Sequence, residues 1–88
     1  MELKDYRDEL DKIDEAIVAL FKARMTTVSY IADYKSAKGL PTLSPDREQE
    51  VLARVRALSG VELAPYTAVL FETIMRLSRE YQESLRDE

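Results

Sequence analysis

All five glycine and proline residues of this 88-residue chain lie in two short stretches, residues 39–45 and 60–65. Because glycine and proline are the residues that most often interrupt helices, their clustering leaves three uninterrupted segments. No alternating apolar pattern bounded by turns indicates a strand. The sequence therefore predicts an all-α chain of three helices, over about residues 6–38, 45–59 and 64–85, within a single domain of residues 1–88.

The first segment keeps a seven-residue apolar rhythm, which is typical of a long packing helix. A helix of residues 6–38 is roughly 50 Å long, whereas a compact chain of this length has a diameter of about 30 Å. The overhanging part exposes its apolar stripe unless a second copy covers it. We therefore expect an intertwined homodimer. The stripe consists of Leu3, Tyr6, Leu10, Ile13, Ile17, Leu20, Ile31 and Tyr34.

The ends of the predicted helices carry residues with strong positional preferences. Gly39 fits the position just past the first helix, where a left-handed residue closes the helix. Ser44 is the predicted N-cap of the second helix and Pro45 its first residue. Ser59 and Gly60 mark its end. The residues that we expect the second and third helices to bury are Val51, Leu52, Val55, Leu58, Val69, Leu70, Phe71, Ile74, Met75, Leu77 and Leu85.

Composition excludes several classes of function. The chain has 13 basic residues dispersed among 17 acidic ones, with a net charge of −4, so we expect neither a nucleic-acid partner nor a membrane surface. It has no histidine and no cysteine, which removes thiolate and imidazole ligands, cysteine nucleophiles and imidazole bases. We expect no metal and no cofactor. The N-terminus lacks the apolar stretch of a secretory signal, which predicts a cytoplasmic protein.

Several polar residues stand where the helical pattern points inward. Arg24 takes the heptad position of Ile17 and Ile31, and Lys35 lies 11 residues further on nearly the same face. Ser78 and Gln82 continue the apolar stripe of the third helix, and Glu48 lies on the apolar side of the second. Taken singly, Arg24 also fits a residue that fixes helix register, and Lys35 and Glu48 fit charges that complement helix dipoles.

Together these side chains predict a site for a compact anion. Arginine forms forked hydrogen bonds to carboxylates and lysine adds a point charge, so an anion with more than one carboxylate is favoured. The set has little equipment for covalent catalysis. It suits a reaction that is helped by holding the substrate in a reactive shape and by stabilising charge in the transition state.

The order and spacing of these residues resemble the small all-helical chorismate mutases, which rearrange chorismate to prephenate in aromatic amino-acid synthesis. The resemblance runs from about Tyr6 to Leu85, through Arg7, residues 14–24, Lys35, residues 46–48 and residues 78–82. It implies an intertwined dimer of three-helix chains. We expect a stand-alone, unregulated enzyme, although control through a partner protein stays open.

The resemblance also implies roles for individual residues. Arg24 is expected to bind one substrate carboxylate, and Arg7 the other from the partner chain. Because Arg7 lies roughly 26 Å from Arg24 along a straight helix, both cannot reach one small ligand from the same chain. Lys35 and Gln82 are expected to donate hydrogen bonds to the ether oxygen, and Glu48 to accept one from the ring hydroxyl.

Further pocket residues follow from the same resemblance. Arg47 is expected to line the pocket and Ser78 to contact a carboxylate. Ser44 stands where some family members carry an aspartate, so it either replaces that contact, loses it, or serves only as an N-cap. Arg79 stands where an apolar wall residue is common, and it either turns to solvent or adds positive charge to the pocket. The expected apolar walls are Val28, Ile31 and Met75.

Two other functions stay open at this point. An isochorismate pyruvate lyase shares the fold and a similar cationic pocket. A helical dimerisation or regulatory module would use its inward polar residues only to specify pairing. The second alternative predicts that chorismate neither binds nor raises the melting temperature.

Overall fold

The computed structural model describes residues 1–86, which form two helices, α1 (Leu3–Lys38) and α2 (Pro45–Arg86). Residues 1–86 contain no strand. The all-α prediction is therefore confirmed. The two helices are joined by a short loop, residues 39–44, and they pack against each other along the second half of α1.

Both ends of α1 are closed by local hydrogen bonds. The helix begins three residues before the predicted start, and the carboxylate of Asp5 accepts a 2.8 Å hydrogen bond from the backbone N–H of Glu2. Gly39 follows the last residue in the left-handed conformation, with φ 67° and ψ 29°. The N–H of Leu40 then donates to the carbonyl of Lys35 at 2.8 Å. The predicted role of Gly39 as the helix terminator is confirmed.

The prediction of three separate helices is wrong. Residues 45–86 form one helical element in which Gly60 alone has a non-helical backbone, with φ 78° and ψ 163°. A single glycine absorbs the change of direction, because it can adopt a positive φ without a side-chain clash. No loop is needed between the two parts of α2. The sequence predicts a helix start near residue 64, but Pro65 lies inside α2, five residues after the break.

The buried apolar core is small and lies near the middle of the molecule. Its centre is a cluster of Val51, Leu52 and Val55 with Met75, against which Phe71 packs. Val28 and Ala32 of α1 and Ala68 of α2 are also buried. The expected burial of Leu58, Val69 and Leu70 is not found in the single chain, where these residues are 55–75% exposed because neither α1 nor the rest of α2 covers most of their surface.

The N-terminal half of α1, residues 3–20, projects beyond this core, and every residue in it is exposed. The molecule measures 54 × 29 × 14 Å, and its radius of gyration of 16.1 Å exceeds the roughly 12 Å of a compact chain of this length. The predicted overhang of α1 is therefore confirmed. No helix within residues 1–86 combines the length and apolarity needed to cross a bilayer.

Candidate functional site

A pocket of 560 Å³ opens between the C-terminal half of α1, the two parts of α2 and the 39–44 loop. Its apolar lining comes from all three helical stretches, so the bend of α2 at Gly60 is what encloses it. The apolar and small lining residues are Ala23, Val28, Ile31, Val51, Phe71 and Met75. The polar and charged lining residues are Arg24, Thr27, Lys35, Thr42, Ser44, Arg47, Glu48, Arg54, Ser78, Arg79 and Gln82.

The charge of the pocket is opposite to that of the chain. Within residues 1–86, five cationic side chains and a single carboxylate line it, although the whole chain has a net charge of −4. Such a concentration of one sign in a concave surface attracts ligands of the other sign. The pocket is therefore suited to an anion.

Arg24 is held in the pocket wall by Ser78. Its Nη1 donates a 2.7 Å hydrogen bond to the Ser78 hydroxyl, which in turn donates to the carbonyl of Ile74 at 2.8 Å. Burial lowers the pKa of Arg24 below its ordinary value, and the nearby positive charges of Arg47 and Arg54 lower it further. A guanidinium still keeps its charge at neutral pH, and it has five N–H donors. Arg24 therefore keeps further donors for a ligand carboxylate.

Lys35 is positioned by the loop between the helices. Its Nζ donates a 2.8 Å hydrogen bond to the carbonyl of Thr42. Thr42 is buried, and its hydroxyl donates to the carboxylate of Glu83 on α2. Arg86 donates to the carbonyl of Leu40 at 2.6 Å, which ties the same loop to α2 a second time. Because an ammonium has three donors, Lys35 keeps two for a ligand.

Glu48 and Arg79 form an ion pair across the pocket. The Nη1 of Arg79 lies 2.6 Å from both carboxylate oxygens of Glu48. The sequence left open whether Arg79 faces solvent or the pocket, and the structure places it in the pocket lining. Ser44 also lines the pocket, and its carbonyl accepts the N–H of Glu48 at 3.0 Å, as an N-cap carbonyl does.

Gln82 is buried, with 6% of its surface exposed, and it borders the pocket. Its Oε1 has no hydrogen-bond partner within residues 1–86. Leaving a buried polar atom unpaired costs about 1–3 kcal/mol, so such an atom is generally tolerated where a ligand or water completes it. This oxygen can accept a hydrogen bond from a bound molecule, and the NH2 group of the same amide can donate one, so Gln82 is a candidate contact in either sense.

The structure brings together all the predicted site residues except Arg7. The residues that it gathers around one pocket are Arg24, Val28, Ile31, Lys35, Ser44, Arg47, Glu48, Met75, Ser78 and Gln82. Arg7 lies on the exposed N-terminal half of α1, outside this pocket. Because α1 is continuous between Arg7 and Arg24, the calculated separation of roughly 26 Å applies to the folded chain.

Sequence reasoning missed Arg54 and Thr42. Arg54 follows Arg47 by seven residues and Val51 by three, which places all three on one face of α2. This spacing could have predicted that Arg54 lines the pocket. Thr42 had no such signal, because it lies in a loop whose course depends on tertiary contacts. Its burial against Glu83 is visible only in the folded chain.

The fold and site define a small all-helical protein with a cation-lined pocket for a compact anion. The family model described as chorismate mutase type II matches residues 6–83, and the chain belongs to that family. A solved structure, a conserved hypothetical protein from Pyrococcus furiosus, is 35% identical with a TM-score of 0.76, and the match covers 91% of this chain and 93% of that one.

Two relatives with descriptive names match over different lengths. The T-protein of Haemophilus influenzae is 37% identical over 86 residues, which is 98% of this chain and 22% of that protein. The chorismate mutase of Methanocaldococcus jannaschii is 32% identical over 56 residues, which is 64% of this chain and 57% of that protein. The chain therefore spans only about a fifth of the T-protein, at 22%.

Proposed function

We propose that this protein is a chorismate mutase that rearranges chorismate to prephenate in phenylalanine and tyrosine biosynthesis. The observation that carries the proposal is the convergence of Arg24, Lys35 and Gln82, with Glu48, on one pocket between helices. Chorismate carries two carboxylates, a ring hydroxyl and an ether oxygen. The pocket offers cations, an acceptor and neutral donors that match these groups in kind.

The substrate carboxylates are bound by arginines from two chains. Arg24, fixed by its 2.7 Å hydrogen bond to Ser78, takes one carboxylate. Arg7 of a second copy takes the other, because Arg7 of the same chain is too distant along α1. The Ser78 hydroxyl contacts the Arg24-bound carboxylate once it releases the Ile74 carbonyl, to which it donates at 2.8 Å.

An intertwined homodimer supplies that second arginine. The exposed stripe on residues 3–20 includes Ile17 at 57% and Leu20 at 71% exposure, and such a continuous apolar face is rarely left uncovered on a soluble protein. A second α1 packed along it buries the stripe by the seven-residue pattern of paired helices. The small core of the single chain supports the same assembly, since short chains often need a partner for stability.

The rearrangement needs no nucleophile and no proton transfer. The ether C–O bond breaks as a new C–C bond forms within the same molecule, and negative charge develops on the ether oxygen. Lys35 and the amide of Gln82 donate hydrogen bonds to that oxygen, where their effect is greatest in the transition state. Glu48 accepts a hydrogen bond from the ring hydroxyl and so fixes the ring.

The apolar walls restrain the substrate to the folded, chair-like shape that the reaction requires. Val28, Ile31 and Met75 lie between the polar groups and restrict the flexible side chain of chorismate. Arg47 lines the pocket near Glu48, and Ser44 closes its edge at the start of α2. Holding reacting atoms close together in this way can account for a large part of a rate enhancement.

The test is a continuous ultraviolet assay of purified protein with chorismate, with the product identified by acid conversion to phenylpyruvate. We expect prephenate formation that Arg24→Ala abolishes. Arg76→Ala is the matched control, since Arg76 pairs with Glu80 on the exposed surface of α2 at 3.0 Å. Pyruvate released from isochorismate, with chorismate unchanged, would instead identify a lyase. Inactivity of a folded dimer with both substrates would leave a helical interaction module as the better interpretation.

A further inference from the structure

The ion pair between Arg79 and Glu48 differs from the other ion pairs of α2. Arg47 with Glu50 and Arg76 with Glu80 are neighbours within one turn of the helix, and both pairs are well exposed. Arg79 and Glu48 are 31 residues apart and connect the two parts of α2 across the pocket. Their side chains are 33% and 23% exposed. The pair is therefore a tertiary contact that belongs to the pocket.

We propose that Arg79 is a positioning residue that holds the Glu48 carboxylate toward the ring hydroxyl of the substrate and away from the other cations. This inference rests on the proposed function. The Nη1 of Arg79 is 2.6 Å from both oxygens of Glu48, which fixes the plane and the direction of the carboxylate. Each carboxylate oxygen has two lone pairs, so Glu48 can still accept a hydrogen bond from a hydroxyl.

The surrounding charges make this restraint necessary. Among the described residues that line the pocket, Glu48 is the only one with a carboxylate, and it shares the pocket with Arg24, Lys35, Arg47 and Arg54. An unrestrained glutamate would pair with these cations and compete with the substrate carboxylates for them. Arg79 takes up the charge of Glu48 through two 2.6 Å contacts. It thereby leaves Arg24 and Lys35 free for the substrate.

The decisive experiment compares two substrates. The steady-state kcat and KM of the wild-type protein, Arg79→Met and Arg79→Lys are measured with chorismate and with an analogue that lacks the ring hydroxyl. We expect Arg79→Met to lower kcat/KM for chorismate by about 10- to 100-fold, the size expected for one hydrogen bond to a charged group. The loss with the hydroxyl-free analogue should be several-fold smaller, and Arg79→Lys should recover part of the activity with chorismate.

Two controls separate positioning from a structural effect. Arg76→Met removes an exposed arginine one turn earlier and should leave both substrates unaffected. Glu48→Gln should lower kcat/KM as Arg79→Met does, and the double variant should be no worse than either single variant, because the two residues act as a unit. Circular dichroism shows whether each variant is folded.

The outcomes distinguish the inference from the function on which it rests. If the wild-type protein converts chorismate but Arg79→Met loses equal activity with both substrates, the positioning role is wrong and the proposed function stands. Additive losses in the double variant would also overturn the positioning role. A folded wild-type dimer that converts neither substrate overturns the proposed function together with this inference.

Discussion

The two halves of α1 carry the same seven-residue pattern but have different surroundings. The C-terminal half packs on α2 and contributes Arg24, Val28, Ile31 and Lys35 to the pocket. The N-terminal half, residues 3–20, carries an apolar stripe with the same seven-residue spacing, and the stripe is exposed throughout. Arg7 lies in this half. A helix pattern thus specifies a face for packing without specifying which chain supplies the partner.

The two halves of α1 therefore have different roles in the proposed homodimer. The half that packs within the chain shapes the pocket and contributes two of its cations, Arg24 and Lys35. In the proposed homodimer, the projecting half covers a second copy and brings Arg7 to the pocket of that copy. The two halves of α1 should therefore respond differently to substitution.

Ile17→Asp is expected to have the largest effect, because it places an unpaired charge within the proposed dimer interface. We expect a chain that is monomeric at micromolar concentration by light scattering and that forms no prephenate. Ala19→Asp is the matched control, since it adds the same charge two residues away on the opposite face of α1. A folded, active Ile17→Asp dimer would show that the exposed stripe is not the interface.

Arg7 lies in the N-terminal half of α1 and Arg24 in the C-terminal half. Arg7→Ala and Arg24→Ala should each remove nearly all activity. Mixed in equal amounts and allowed to exchange chains, they should recover about a quarter of the wild-type activity, because half of the dimers are mixed and each mixed dimer has one intact site. The assay is prephenate formation before and after exchange. No recovery, with mixed dimers demonstrated by mass spectrometry, would mean that the site is not shared.

Lys35→Ala tests the half of α1 that packs within the chain. We expect kcat to fall by about 10²- to 10³-fold, the range found when one donor to a developing charge is removed. Lys38→Ala, three residues later in the last turn of α1, is the control and should keep normal turnover. A near-normal rate for Lys35→Ala would remove this lysine from the mechanism.

Gln82→Glu should change the pH dependence of activity. An amide donates a hydrogen bond at any pH, whereas a carboxyl group donates only when protonated, and an ordinary glutamate has a pKa of about 4.3. The variant should therefore be slow at neutral pH and gain activity as the pH falls, while the wild-type protein keeps its neutral activity. A pH–rate profile of each protein tests this. Identical profiles would contradict a donor role for Gln82.

Thr42→Val should have the smallest effect. The change removes the hydroxyl that bonds Glu83 but keeps the backbone carbonyl that receives Lys35. We expect the free energy of unfolding to fall by about 1 kcal/mol, as for one hydrogen bond, with a few-fold loss in kcat. Thr73→Val is the control, since its hydroxyl bonds only the carbonyl of Val69 on the exposed surface of α2. Equal effects of the two changes would exclude a special role for the loop tether.

The sequence predicted local features well because they depend on neighbouring residues. Gly39 ends α1 as expected, and Pro45 begins α2. Heptad spacing predicted that Arg24 and Lys35 share an inward face, and both line the pocket. The prediction failed at Gly60, where glycine and proline together suggested a loop. One residue there changes the direction of α2, and nothing in the spacing of the two breakers distinguishes a bend from a loop.

The amino-acid sequence alone predicts an all-α chain with a long first helix, an overhanging apolar stripe and a set of inward cations without histidine or cysteine. These properties follow from helical periodicity and composition, which act over a few turns. The folded chain was needed to reveal that Arg79 pairs with Glu48, that Thr42 holds Lys35, and that α2 bends to enclose the pocket. Lys35 and Thr42 are 7 positions apart across a loop, and Glu48 and Arg79 are 31 positions apart across the bend. These contacts depend on how the helices pack rather than on the spacing of residues along one helix.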